Sequence, residues 1–235
     1  MLRIQGLSHR YPGSPVPALD QLTLSIPKGS LFGLLGPNGS GKTTLISLIA
    51  GVLKLQTGSL TKDPGGLRLS LVPQEYAFYP RLSLRENLEF FGGVQGLSGG
   101  LLARRLNEAL QTTGLESSSD LRAERCSGGM KRRLNIAIGL LIQPELLLLD
   151  EPTVGIDPQS RHFILEAIKA INAKGCTIVY SSHYMDEVEG LCDRIAVLDH
   201  GRLRLDGGLA KLLKAKGQGR LEDLFLDLTQ RELRD

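Results

Sequence analysis

Apolar and polar positions divide the 235-residue chain into short predicted strands and helices. Residues 2–11 and 21–26 alternate between apolar and polar side chains, which predicts two half-buried strands. The run 30–36 is almost wholly apolar and predicts a buried strand. Residues 42–51 have helical spacing and stop at a glycine, so the first part of the chain predicts strands followed by a helix.

The middle of the chain, about 75–142, has the spacing of helices. Ser83 with Glu86 three positions later is a capping-box pattern, which predicts a helix start at Ser83. The last of these helices is apolar over most of its later surface and is expected to be buried. The predicted helices span 83–93, 101–114 and 129–142.

Beyond residue 142 the pattern returns to strands. The runs 145–150 and 176–182 predict buried strands, with a helix over 158–175 between them. Residues 194–203 predict a hairpin whose turn lies at 199–201. Apolar strands that alternate with helices predict an α/β fold with a mostly parallel sheet.

Composition narrows the class of protein. A hydrophobic content of 41% supports a real core, and a net charge of +3 is too small to indicate a nucleic-acid surface. Cys126, Cys176 and Cys192 lack the spacing of a disulfide framework or a metal site, so we expect reduced thiols. No secretory signal is visible, and the most apolar tract, 134–150, is interrupted by polar residues. If the protein works at a membrane, it is expected to do so as a peripheral subunit.

The segment GPNGSGKTT fits the pattern G-x-x-x-x-G-K-[ST] and lies between a predicted strand and a predicted helix. Glycines in such a loop let backbone N–H groups surround phosphate oxygens, and the helix start adds its positive dipole end. Lys42 is expected to reach the β- and γ-phosphates, and the Thr43 hydroxyl to ligate Mg²⁺. The predicted nucleotide-binding residues here are Gly36, Pro37, Asn38, Gly39, Ser40, Gly41, Lys42, Thr43 and Thr44.

The segment LLLLDE ends a predicted buried strand with two acids. Open α/β sheets bind ligands at the carboxyl ends of their strands, so an acid pair there suits a nucleotide site. We expect Asp150 to hold Mg²⁺ through water and Glu151 to polarise the attacking water. The alternative, a helix-capping acid before Pro152, would be preferred if the GPNGSGKTT segment (the P-loop) were absent.

With these motifs in order, the chain resembles the nucleotide-binding subunit of ABC transporters over essentially its whole length. The resemblance implies that Tyr11 stacks on adenine and that Gln74 senses Mg²⁺ and the γ-phosphate. It implies that VGID, ending at Asp157, crosses a dimer interface and contributes Asp157 to the nucleotide site. It also implies that His183 contacts the γ-phosphate. Taken alone, each of these residues has an ordinary packing or solvated role as an alternative.

Two tetrapeptides compete for the family's signature, LSGG at 97–100 and CSGG at 126–129. In this family the signature precedes a helix that leads almost directly into the acidic strand. Ser127 lies 23 positions before Asp150, and Ser98 lies 52 positions before it. The resemblance therefore selects Ser127, Gly128 and Gly129 as nucleotide-binding residues, whereas Ser98 is expected in a turn before the helix over 101–113.

The resemblance implies a P-loop NTPase of the ABC ATPase type. This fold has a mostly parallel core sheet, an antiparallel β-subdomain and an inserted helical subdomain. The predicted ATPase domain covers 1–205, with the helical subdomain at about 75–142, and 206–235 form a short C-terminal extension. The tail that follows residues 214–219 is amphipathic and is expected to pack on the domain or on a second protomer. Its apolar face comprises Leu221, Leu224, Phe225 and Leu228.

The implied activity is ATP hydrolysis that powers a separate membrane permease, as an exporter. The implied cofactors are ATP and Mg²⁺, and the implied location is the cytoplasmic face of the membrane. The site needs a second protomer, identical or similar, and no nucleic acid is expected. The predicted catalytic residues are Glu151, His183, Lys42 and Gln74, and the predicted Mg²⁺ ligands are Thr43, Gln74 and Asp150.

Several alternatives stay open at this level. A soluble ABC ATPase without a transporter is the main rival, and a P-loop GTPase or kinase is a third reading, although no N-K-x-D motif is present. The aromatic segment 75–87 is expected either to receive a helix of the permease or to pack locally. Cys126 departs from the family's usual leucine and is expected to be a small buried thiol. The short stretch between Gly58 and Gln74 leaves the local strand pairing open.

Overall fold

The computed structural model describes residues 1–63, 67–216 and 219–228. These residues divide into two compact units, one from 1–67 with 177–235 and the other from 68–176. The strands are β1 Leu2–His9, β2 Leu19–Ile26, β3 Leu31–Leu35, β4 Thr57–Lys62, β5 Leu69–Val72, β6 Leu146–Asp150, β7 Thr177–Ser182, β8 Arg194–Asp199 and β9 Arg202–Gly208. The α-helices are α1 Lys42–Ala50, α2 Leu84–Val94, α3 Gly99–Thr113, α4 Gly128–Leu140, α5 Pro158–Ala173, α6 Met185–Leu191, α7 Leu209–Lys216 and α8 Leu221–Leu228.

The first unit contains two sheets. In one, β1 lies between β2 and β4 and is antiparallel to both. In the other, β3 is parallel to β7 and to β8, and β9 is antiparallel to β8. The predicted hairpin is confirmed, because His200 and Gly201 both have positive φ, as a two-residue type I′ turn requires. The pairing of β4 with β1 answers the open question on the segment after Gly58.

The second unit joins a parallel strand pair to a helical core. β5 and β6 run parallel, and every residue of β6 is buried. The helices α2, α3 and α4 share one apolar cluster that includes Leu88, Leu106 and Leu134. The capping box at Ser83 is confirmed, since Ser83 Oγ accepts the Glu86 N–H while the Glu86 carboxylate accepts the Ser83 N–H. The mostly parallel α/β character predicted from the pattern is therefore confirmed.

The C-terminal segment packs within the first unit. Leu221, Leu224 and Phe225 of α8 are buried, and the Leu221 N–H donates to Glu189 of α6 at 2.9 Å. The sequence left open whether this segment packs on its own domain or on a second protomer. The structure shows packing on its own domain. Residues 64–66, 217–218 and 229–235, and the side chain of Leu228, lie outside the described part. The predicted division at 205–206 falls inside β9, whose pairing with β8 continues to Gly208.

No helix in residues 1–63, 67–216 and 219–228 combines the length and apolar character needed to cross a membrane.

Candidate functional site

The P-loop connects the end of β3 to the start of α1. The side chain of Lys42 is only 4% exposed, and its Nζ donates to the carbonyl oxygens of Gly36 at 2.8 Å and Pro37 at 3.2 Å. The ammonium group is therefore held by the loop that precedes it. This arrangement places a fixed positive charge beside the N-terminus of a nine-residue helix, which is a suitable environment for phosphate oxygens.

Gly41 explains why this turn requires glycine. It occupies the N-cap of α1 with φ 106°, a left-handed conformation that L side chains rarely adopt. A Cβ at this position would also come within 2.6 Å of the Ala18 carbonyl oxygen. The second glycine of the motif thus lets the chain turn sharply from the loop into the helix.

Tyr11 lies beside the first turn of α1. Its hydroxyl is 3.2 Å from the Thr44 hydroxyl, and its ring meets the His9 ring edge-on at 5.0 Å between centroids. The side chain is 42% exposed, so part of the ring is open to solvent. The structure therefore brings the predicted adenine-stacking residue next to the predicted phosphate site.

His183 follows β7 at the same sheet edge as the P-loop. In the parallel pairing of β3 with β7, Leu35 is opposite Ser182, so Gly36 and His183 both come one residue after a paired position. His183 is half-buried and packs against the ring of Tyr184 at 4.2 Å between centroids. The first unit thus brings Tyr11, the P-loop and His183 to one edge.

In the second unit, the acid pair and Gln74 also lie at a common sheet edge, each at the carboxyl end of a strand. Val72 of β5 is opposite Leu149 of β6, so Gln74 and the Asp150–Glu151 pair follow adjacent parallel strands. Asp150 and Glu151 are both buried, whereas the side chain of Gln74 is exposed. Parallel strands present their carboxyl ends together, which is where ligands bind in open sheets of this class.

Glu151 has an unusual backbone. Its φ of 46° lies in the left-handed region, where a non-glycine residue costs about 1–2 kcal/mol. Such strained residues cluster at functional sites, because the surrounding structure must hold them there. The sequence pattern gave no sign of this conformation at the residue predicted to act as the base.

Ser127 begins α4, and its Oγ accepts the Met130 N–H at 3.2 Å. Gly128 and Gly129 form the first turn, as expected for the signature. Ser98 also precedes a helix, α3, but its side chain makes no capping hydrogen bond. A Cβ at Gly129 would lie 2.0 Å from Ser160 Oγ, so the close packing of α4 on α5 requires glycine here.

Asp157 caps the N-terminus of α5. Its carboxylate accepts the Ser160 N–H at 2.9 Å, and hydrogen bonds from Ser160 hold the pKa of Asp157 below its ordinary value. The structure thus gives Asp157 a local capping role. Its contribution to a nucleotide site remains a prediction.

Sequence reasoning missed two residues of α4. Arg132 and Asn135 are each 4% exposed, and both hydrogen-bond to the backbone of the segment that contains Gln74. Burial lowers the pKa of Arg132 from its ordinary value, and the nearby Tyr76 opposes that shift. The available signal was the presence of two polar side chains on a helix expected to be buried.

Comparisons with known proteins agree with this geometry. A family model described as ABC transporter matches residues 19–154. The linearmycin resistance ATP-binding protein LnrL of Bacillus subtilis is 44% identical over 86% of this chain and 68% of its own length. The Nod factor export ATP-binding protein I of Ralstonia nicotianae is 39% identical over 86% of this chain and 65% of its own length. This chain therefore spans about two thirds of these relatives.

A solved structure is similar in fold. The dimeric structure of a post-hydrolysis state of the ATP-binding cassette MJ0796, bound to ADP and Pi, matches with a TM-score of 0.80 at 25% identity. The match covers 89% of this chain and 99% of that one. Together with the P-loop, the acid pair and the signature helix, these similarities show that the chain belongs to the ABC transporter family, as an ATP-binding and ATP-hydrolysing subunit.

Proposed function

We propose that this ATPase dimerises around two ATP molecules and powers a separate integral-membrane permease, as part of an exporter. The observation that carries the proposal is that the sequence has one P-loop, with Gly41 at the N-cap of α1, and one signature segment, with Ser127 at the N-cap of α4. The similarity to ATP-binding proteins named for drug resistance and for Nod factor export favours export as the direction. The protein would then work at the cytoplasmic face of the membrane.

In the proposed site, the P-loop binds the phosphates of ATP and the exposed face of Tyr11 receives the adenine. Lys42 supplies a charge that is already positioned, so little reorganisation is needed when the γ-phosphate arrives. Glu151 orients the attacking water and His183 contacts the γ-phosphate. Phosphoryl transfer depends mainly on such positioning and charge stabilisation.

The side chains proposed for Mg²⁺ have suitable chemistry. Thr43 offers an exposed hydroxyl, Gln74 an exposed amide and Asp150 a carboxylate, all of them oxygen donors of the kind that Mg²⁺ prefers. Among the described residues, no group of three or more His, Cys, Asp or Glu side chains could hold a metal ion by itself. In the proposal, the ion would be held jointly by these side chains and the substrate phosphates, and it would neutralise the charge that develops during transfer.

A second protomer would complete each site. Ser127 and Gly128 are exposed at the start of α4, so this helix start is accessible to a γ-phosphate bound by another chain. ATP then joins two protomers, and hydrolysis removes the contact that holds them together. The dimeric form of the similar cassette supports this arrangement.

An aromatic patch offers a docking surface for the permease. Tyr79 and Phe90 are 49% and 44% exposed, and their rings meet edge-on at 4.8 Å between centroids, with Phe91 behind them. Aromatic groups with this exposure are well suited to receive a short amphipathic helix.

We expect a Tyr79→Ser, Phe90→Ser double variant to lose binding to the permease but to keep ATP-induced dimerisation. Val94→Ser, on the same helix at a residue 70% exposed, is the matched control.

The test is affinity purification of tagged Glu151→Gln protein, with ATP and Mg²⁺, from gently solubilised native membranes. Stoichiometric recovery of a multi-span protein, lost in the aromatic double variant and kept with Val94→Ser, would support the proposal. Recovery from the soluble fraction alone, or with ribosomal or DNA-bound partners, would favour the soluble ABC ATPase instead. The ATP hydrolysis itself would stand in either case.

A further inference from the structure

The segment that carries Gln74, residues 73–77, is fastened to α4 by Asn135. The Asn135 side-chain oxygen accepts the Ala77 N–H at 3.1 Å, and its Nδ2 donates to the Glu75 carbonyl at 2.9 Å. One amide thus satisfies both a donor and an acceptor of the same loop. Asn135 is almost fully buried, so breaking this pair would leave polar groups without water.

Arg132, one turn closer to the start of α4, fastens the loop a second time. Its guanidinium donates to the Gln74 carbonyl at 2.6 Å and lies 5.1 Å from the centroid of the Tyr76 ring. The Tyr76 hydroxyl donates in turn to the Gly128 carbonyl at 3.3 Å, in the first turn of α4. The loop is therefore bound to the signature helix at three successive levels.

We propose that Arg132, Asn135 and Tyr76 form a latch that makes the Gln74 loop and the signature helix move as one piece. The inference rests on the proposed function, in which Gln74 faces the ATP of its own protomer and Ser127 faces the ATP bound by the other. A shift of Gln74 at one ATP then displaces the serine at the second ATP. The latch residues are positioning residues that couple the two nucleotide sites.

The chain supplies a matched control in the next residue along the helix. Arg133 also donates to two backbone carbonyls, those of Thr113 and Gly114, and lies 5.0 Å from the centroid of the Phe163 ring. It thus makes the same kinds of contact as Arg132, but to the end of α3 instead of the Gln74 loop. If these contacts only stabilise the fold, replacing either arginine should have the same effect. If the contacts couple the two sites, only replacement of Arg132 should reduce the coupling.

The experiment compares Arg132→Met, Arg133→Met and the milder Tyr76→Phe in the purified ATPase. ATP affinity is measured at low protein concentration without Mg²⁺, the ATP dependence of hydrolysis gives kcat and the Hill coefficient, and thermal unfolding monitors the fold. A wild-type Hill coefficient approaching about 2, the number of sites in the dimer, is the starting point. We expect Arg132→Met to reduce it to about 1 and to lower kcat by about tenfold, with ATP affinity within about twofold. Tyr76→Phe should show a smaller effect in the same direction, without a loss of fold.

Arg133→Met should keep the native Hill coefficient even if its melting temperature falls as far as that of Arg132→Met. A native Hill coefficient in both Arg132→Met and Tyr76→Phe would overturn the latch, as would an equal loss in Arg133→Met. A wild-type Hill coefficient of 1 would also overturn the coupling. Failure of Glu151→Gln to dimerise with ATP would instead contradict the proposed function on which the latch rests. A failure of the latch and a failure of the proposed function are therefore distinguishable.

Discussion

The hydroxyl of Tyr11 lies 3.2 Å from the hydroxyl of Thr44, which joins the chain before the P-loop to the first turn of α1. The two residues are 33 positions apart, and the contact holds the ring beside the phosphate site. His9, packed edge-on against the same ring, limits its movement from a second side. The ring that we propose as the adenine platform is therefore fixed beside the P-loop helix by contacts within the chain.

Replacing this ring tests the platform. Base stacking on an aromatic side chain contributes about 1–3 kcal/mol, so Tyr11→Ala should weaken ATP binding by about 5-fold to 150-fold. Tyr11→Phe keeps the ring and loses only the contact with Thr44, and it should bind ATP within about threefold of the native protein. Isothermal titration calorimetry would measure both. Equal loss in the two variants would mean that the hydroxyl, and not the ring, holds the nucleotide.

The two Ser-Gly-Gly segments can be distinguished by dimerisation. In a Glu151→Gln background, Ser127→Arg should prevent ATP-induced dimerisation, because a bulky side chain would fill the start of α4 where the γ-phosphate is expected. Ser98→Arg should leave dimerisation largely intact, although Ser98 is exposed and also begins a helix. Size-exclusion chromatography with and without ATP is the measurement. The reverse pattern would show that the segment at 97–100 is the signature.

The backbone of Glu151 predicts an inverted stability order. Alanine normally stabilises a chain relative to glycine, but at a φ of 46° its Cβ is strained. We expect Glu151→Gly to exceed Glu151→Ala in unfolding free energy by about 1 kcal/mol. Urea denaturation would measure the difference. Both variants should lose hydrolysis, and a more stable alanine variant would contradict the strained conformation.

The three cysteines should be unreactive in the folded protein. Burial raises the pKa of Cys176 to about 11, and it also raises the pKa values of Cys126 and Cys192. A thiol stays protonated below its pKa, so at pH 8 the nucleophilic thiolate is scarce in the native state and becomes available on unfolding. Iodoacetamide at pH 8, followed by mass spectrometry, should label all three in urea and none without it. Rapid labelling of native Cys126 would contradict the expected burial of this thiol.

Much of the site was accessible from the sequence, because its motifs depend on neighbours in the chain. Three local features could be predicted from the types of neighbouring residues alone. They are the P-loop turn at its glycines, the capping box at Ser83 and the hairpin turn at His200–Gly201. Ser127 was preferred to Ser98 from the family resemblance together with its distance along the chain from Asp150. The helix that fills that distance, α4, is the one the spacing predicted.

Tertiary structure decided the remaining features, which depend on residues far apart in sequence. Asn135 satisfies backbone groups 58 and 60 positions away, and no local pattern reveals such a partner. The left-handed φ of Glu151 is likewise imposed by surrounding packing and not by its residue type. The sequence by itself determined which groups can bind a nucleotide. Only the folded chain determined how the Gln74 loop is held, because buried polar groups must find hydrogen-bond partners wherever the fold brings them.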